Sequence, residues 1–368
     1  MIARLHDVLE TGNYTNGKYV RALEEKVKEH FDLQGHVVAV SSCTSGLILV
    51  LNQLMFRPLI PDFTFSATAH AAFMACNGFR AGDCSLDSFN LQIQSTNDLD
   101  GVVATHIFGN PADIDVILEA AQPENLPVVF DAAHALRSMF KGKSVLDYGT
   151  ASVVSCSPSK PLTCGEGGLI ITRDAYLAEK LRQARNYGNI ENYDCVKPGM
   201  NARMSEFQAI IGLASLQDFD RNFSKRMSLV QEYQSYFPEE ICQKVNPEGR
   251  SSWKDFSVKV GAKLECVSKA LSEAQIEFKR YFRPVSSLTC YSGWLSPQRN
   301  ASLLHGTQGL IQLPLHCQLD EDDIGRISKI VLESMGDTLG REGVSVHELA
   351  STAQNGDSRS VVTKGVGQ

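Results

Sequence analysis

The stretch "ASVVSCSPSKPLTCGEGGLIITRD", residues 151–174, decides the reading of the fold. Its two flanks, "ASVVS" and "GLIIT", are apolar without a polar alternation, as strands buried on both faces are. Between them Lys160 stands among small residues, with Pro158 before it, Pro161 after it and the Gly167–Gly168 pair just beyond. A solvating lysine sits on a helix face among other charges. This one sits in a rigid turn at the end of a buried strand, the edge where open α/β sheets bind ligands.

Working outward, strand-type runs alternate with helix-type runs through the first half of the chain. "HVVAVS" (36–41) precedes "SGLILVLNQLMF", and "PLIP" (58–61) precedes "SATAHAAFMAC". "GVVATHIFG" (101–109) leads into "PADIDVILEAAQ", where Pro111 and Asp113 mark a helix start. "LPVVFDAA" (126–133) is another buried strand, and the helix "AYLAEKLRQARNYG" follows "GLIITR". This alternation predicts an α/β fold: a mostly parallel sheet sandwiched by helices. From about residue 204 one long helical stretch, "SEFQAIIGLASLQDFDRNFSKRMSLVQEYQSYF", leads to a mixed region with "DFSVKV", "LECVSKALSEAQ", "GLIQLPLH" and "EDDIGRISKIVLESM". The expected organisation is a large domain over 1–215, a smaller α+β domain over 216–340, and a polar, disordered tail over 341–368.

Composition narrows the function classes. The 368 residues carry 35 basic and 42 acidic side chains, a net charge of −7 with no basic run, so nucleic acid and membrane surfaces find no electrostatic footing. The start, "MIARLHDVLETGNY", shows no signal peptide, and apolar runs such as "GLILVLNQLMF" are too short to cross a bilayer. The ten cysteines form no C-x-x-C pair, which argues against zinc and for reduced, mostly buried thiols in a cytoplasmic protein. No repeat, Walker loop or G-x-G-x-x-G signature is present.

Several reactive residues fall at the expected ligand edge. Asp131 ends "LPVVF", Ser155 ends "ASVVS", and "SSCTSG" (41–46) joins the first strand to a helix. Each alone also reads as a cap: a strand-terminal Asp and a Ser/Thr-rich turn commonly do no more. Together they fit one ligand. A helix start with Thr44 and Ser45 offers N–H groups, hydroxyls and a favourable dipole to a phosphate. Asp131 suits a pyridinium nitrogen, and Lys160 suits a Schiff base with an aldehyde. Phosphate, pyridine and aldehyde are the handles of pyridoxal 5′-phosphate (PLP).

The chain resembles the DegT/DnrJ family of PLP-dependent sugar aminotransferases, of fold-type I architecture, from about residue 10 to 335. The carriers are "SSCTSGL", "IPDFTFSATAHA", "HIFGNPADID", "VVFDAAHA", "SPSKPLTCGEGGLIITRD", "RNYGN" and "GMNARMSEFQAIIGLASL". The resemblance implies that Lys160 is the Schiff-base lysine and proton shuttle, that Asp131 pairs with the pyridine nitrogen, and that His134 lies on the ring's hydroxyl side. It implies that Phe65 stacks on the ring and that Thr44, Ser45 and Ser155 contact the phosphate. It also implies that Asn201 reaches the phosphate of a neighbouring subunit in a homodimer with shared sites. Lys160 argues against the family's histidine-bearing dehydratases. One departure stands out: Cys43 occupies a position where the family has glycine, so a slightly reshaped turn and lower cofactor affinity are expected.

The implied reaction moves an amino group from an amino acid, expected to be L-glutamate, to a keto-sugar, usually nucleotide-linked. Keto-cyclitol transamination, another fold-type I chemistry such as a lyase or desulfurase, and a non-catalytic PLP-binding role are the alternatives. His70, His106, His305 and His316 receive no role, and Arg283 in "RYFRPV" carries no carboxylate-clamp signature.

Overall fold

Strands with apolar residues at every position need cover on both faces, and the helices supply it. The computed structural model describes residues 1–188 and 194–336. The tail 341–368 and Asn189 of the "RNYGN" block lie outside the described residues.

The strands, in chain order, are β1 (His36–Val40), β2 (Leu59–Pro61), β3 (Arg80–Gly82), β4 (Val102–Thr105) and β5 (Val128–Asp131). Then come the short β6 (Met139–Phe140) and β7 (Lys143–Ser144), β8 (Ala151–Ser155), β9 (Gly168–Thr172), β10 (Gly249–Arg250), β11 (Phe256–Lys259) and β12 (Leu310–Leu313). The helices are α1 (Ile2–Thr11), α2 (Lys18–His30), α3 (Cys43–Leu54), α4 (Ser66–Ala75), α5 (Ile114–Ala121) and α6 (Ala175–Ala184). They continue as α7 (Glu206–Gln217), α8 (Phe219–Tyr236), α9 (Leu264–Glu273), α10 (Arg299–His305) and α11 (Glu321–Met335).

Seven strands form one sheet in the order β1-β9-β8-β5-β4-β2-β3. The run from β3 to β8 is parallel, and β9 is antiparallel to both neighbours, β8 and β1. The reversal follows from the linker: residues 156–167, the lysine turn, contain no helix, and only a helical crossover would return the chain in parallel. Alternate residues serve opposite cores. Val37, Ala39, Phe130 and Ile171 pack with α2, α5 and α7, while Val38, Val40, Val129 and Ile170 pack with α3, α4 and α6. Around β11 and β12 a third core gathers Tyr233, Phe256, Leu271, Ile311 and Val331.

Two expectations need correction. The long helix is broken at Asp218, giving α7 and α8. The break leaves Phe219 edge-on to Phe31 at 4.9 Å in the large sheet's core, while α8 runs on into the β11–β12 core. Cys195, Cys266, Cys290 and Cys317 are exposed, so burial of the thiols is less general than expected. These four lie outside the apolar strands. Among the described residues no helix is long and apolar enough to cross a membrane.

Candidate active site

Parallel strands aim their carboxyl ends at one edge, and that edge collects the candidate residues. Asp131 closes β5 and Ser155 closes β8. The chain leaving β1 turns through Ser41 and Ser42 into α3, whose N-terminus lies at the same edge. The Ser42 hydroxyl accepts from Ser45 N–H at 3.0 Å, and Ser45 Oγ accepts from Ser42 N–H at 3.1 Å. This capping box commits the Ser45 hydroxyl to the turn itself. Free N–H groups of the first turn, with Thr44, are what remain for an anion. Ser155 Oγ contacts Ser157 Oγ at 3.3 Å.

Cys43 is the first residue of α3 and keeps a right-handed helical backbone, so the turn needs no left-handed residue there. Glycine is required across from it instead: a Cβ on Gly168 would lie 2.6 Å from the Ser42 carbonyl carbon and 2.7 Å from the Cys43 nitrogen. The "GEGG" pair therefore lets β9 pass directly beneath the turn.

Asp131 is buried and held by two donors, Thr68 Oγ1 to Oδ2 at 2.6 Å and Ala133 N–H to Oδ1 at 3.1 Å. Burial pushes its pKa up, against the pull of those bonds and of the Lys160 amine. Sequence reading missed the row behind it: Thr68 meets Thr64 at 2.9 Å, and Thr64 meets Thr105 at 2.9 Å, all buried. "TFSAT" places Thr64 and Thr68 four residues apart, one helical turn, which was the available signal.

Lys160 is partly exposed, and its N–H donates to Ser157 O at 3.0 Å, closing the turn. Burial of the amine pushes its pKa down to about 8, helped by the Lys254 ammonium and opposed by Asp255, Cys43 and Asp131. An amine so placed reaches the neutral, nucleophilic form far more easily than a surface lysine.

His134 is buried, and its Nδ1 accepts the Phe108 N–H at 3.3 Å. Burial holds its pKa well below the usual value, with Lys160 and Lys254 adding to the effect. The neutral ring then carries its hydrogen on Nε2, a donor suited to an oxyanion. Phe65 is 53% exposed at the start of α4, with the Phe282 ring at 6.3 Å. Asn201 stands apart. It is exposed, bridged to Asn186, and next to Ala202, whose carbonyl accepts from Ser41 N–H at 2.9 Å.

A family model described as the DegT/DnrJ/EryC1/StrS aminotransferase family matches residues 1–332. The chain belongs to that family. It is 29% identical over 332 residues to the GDP-perosamine synthase of Caulobacter vibrioides, covering 84% of this chain and 88% of that one. It is 26% identical, with the same coverage, to the UDP-4-amino-4,6-dideoxy-N-acetyl-beta-L-altrosamine transaminase of Campylobacter jejuni. Among solved structures, a DegT DnrJ EryC1 StrS aminotransferase from Brucella abortus matches with a TM-score of 0.83 and 25% identity, covering 91% of this chain and 95% of that one. DesI, solved in the presence of its TDP-sugar product, matches at 0.82 and 26% over 96% and 92%. The chain is therefore an aminotransferase of fold type I, in a family whose members depend on PLP.

Proposed function

We propose that this aminotransferase binds PLP at the Lys160–Asp131 edge and transfers an amino group from L-glutamate to a nucleotide-linked keto-sugar. The observation that carries the proposal is placement: Lys160 follows the end of β8 at the edge where β5 ends in Asp131, a buried, doubly hydrogen-bonded carboxylate, and burial of the lysine amine brings its pKa down to about 8. The residues fit the cofactor. Gly168 leaves room for the α3 turn that would take its phosphate, and His134 offers a neutral N–H donor. When bound, PLP supplies an electron sink for the bond-breaking at the donor's α-carbon.

The chain's own groups divide the remaining work. Asp131 would keep the pyridine nitrogen of PLP protonated, with Thr68 fixing the carboxylate from behind. Lys160 would hold PLP through its amine and, as a free amine, would move a proton at the donor's α-carbon. The keto-sugar reading draws on relatives whose names carry GDP-, UDP- and dTDP-sugars. We also read the chain as two domains divided near 215/216 and as a homodimer, with Asn201 reaching a partner's phosphate.

The test is chemical. Protein saturated with PLP should show a visible Schiff-base band that borohydride fixes to Lys160. Incubation with L-glutamate and a panel of keto-sugar nucleotides should release 2-oxoglutarate. A label on another lysine would overturn the site. Faster turnover with pyruvate or oxaloacetate than with any keto-sugar nucleotide would overturn the substrate class.

A further inference from the structure

A cavity of about 470 Å³ opens beside the lysine turn and is shared by Lys160, Lys254 and Asp255. Lys254 and Asp255 form an ion pair at 2.8 Å, with side chains only 6% and 10% exposed. Buried pairs are costly to desolvate, and apolar residues of similar size serve a fold as well or better. This pair is also incompletely satisfied. Asp255 Oδ2 is buried with no hydrogen-bond partner among the described residues, and the Lys254 ammonium, with three hydrogens, is seen to donate only to Asp255 Oδ1.

The segment that carries the pair is pinned from several sides. Ser252 Oγ donates to His134 O at 2.6 Å, and Lys254 N–H donates to Phe108 O at 2.9 Å. The buried Arg226 donates to the carbonyls of Trp253 and Lys254, both at 3.1 Å. Between these pins Trp253 has φ of +46°, a left-handed conformation that a bulky residue adopts only when its surroundings hold it. The charges are thus fixed in position before any ligand arrives. Further walls of the cavity carry Lys279 and Arg326 against Glu277 and Asp323.

We propose that Lys254 and Asp255 are the docking pair for the amino donor. A zwitterionic α-amino acid places its α-carboxylate on the Lys254 ammonium and its α-ammonium on the Asp255 carboxylate, beside Lys160. One ligand then meets both charges, and its amino group lies beside Lys160. A keto-sugar, which has neither group, makes no use of the pair. This assignment rests on the PLP aminotransferase reading given above.

The experiment uses the PLP-saturated enzyme and two amines, L-glutamate and propylamine, the second lacking any carboxylate. Single substitution Lys254→Met leaves Asp255 unpaired, so Lys254→Met/Asp255→Leu is made as well to keep a folded comparison. Both are followed by the shift of the Schiff-base band and by calorimetric binding of α-methyl-L-glutamate. The expected result is a loss of at least about 30-fold in L-glutamate and α-methyl-L-glutamate affinity, with the propylamine response changed less than about three-fold. Equal losses for both amines would mean a structural or lysine-tuning role and overturn the docking pair. So would unchanged glutamate binding with the band intact. Absence of the band in the unsubstituted protein would overturn the PLP reading itself, and the docking pair with it.

Discussion

At the scale of single residues, the Asp131 carboxylate depends on a hydroxyl that no strand pattern announces. Thr68 donates to it at 2.6 Å, a short bond to a charged acceptor. Such bonds contribute about 1.5–3 kcal/mol, roughly a 10- to 100-fold change in an equilibrium or rate. Thr68→Val should therefore fold yet slow the glutamate half-reaction by about that factor, while Thr68→Ser restores most of it. Unchanged single-turnover rates in Thr68→Val would show the bond to be incidental. Lys160 gives a pH prediction. With a pKa of about 8 its amine is neutral in roughly one molecule in ten at pH 7, against about one in three thousand for an ordinary lysine. The rate at which cofactor-free protein forms the Schiff-base band should rise with pH and level off just above 8. A rate still climbing tenfold per unit at pH 9.5 would refute the assignment.

At the scale of elements, two family blocks prove to be structural devices. Glu206, in "MSEFQAI", is buried and accepts N–H bonds from Gly17 at 2.9 Å, Tyr19 at 2.8 Å and Val20 at 3.1 Å. It caps the start of α2 from the start of α7, placing a carboxylate on a helix N-terminus. Arg185, which opens "RNYGN", bonds Glu24 at 2.7 Å and the Ala39 carbonyl at 2.6 Å, tying α6 to α2 and β1. Neither residue enters the candidate chemistry. Glu206→Gln should cost about 1–3 kcal/mol, read as a lowered urea midpoint at unchanged m-value, with the Schiff-base band retained. A native midpoint would remove the capping argument.

For the whole molecule, buried histidines set the acid limit. His106 is fully buried, its Nδ1 accepts the Ala112 N–H at 2.9 Å, and burial pushes its pKa down to about 3. The folded value is depressed, so the folded protein binds fewer protons than the unfolded chain. Stability from this group is complete above about pH 6.5 and is lost progressively as the pH falls toward 3. His106 alone should take about 2 kcal/mol between pH 7 and pH 5, and His134 acts in the same direction. Urea midpoints of the unsubstituted protein and of His106→Gln should converge as the pH falls over that range. Parallel pH profiles would contradict the account.

The sequence by itself determined what depends on local order. Apolar runs without alternation marked the doubly covered strands, and Lys160 between its prolines, Asp131 at a strand end and the Ser/Thr turn at a helix start were legible because each owes its position to neighbouring residues. The short β3 and the break at Asp218 were not legible, since one is held by pairing to β2 and the other by where Phe219 packs. Only the tertiary structure decided which residues complete the site. Thr68 bonds Asp131 with Thr64 and Thr105 linked behind it, and Lys254 and Asp255 line one cavity with Lys160 across about ninety positions of chain. Side-chain hydrogen bonds and buried charge pairs leave no periodicity in the chain. They act through distances of a few ångström in space, which folding sets and sequence separation does not.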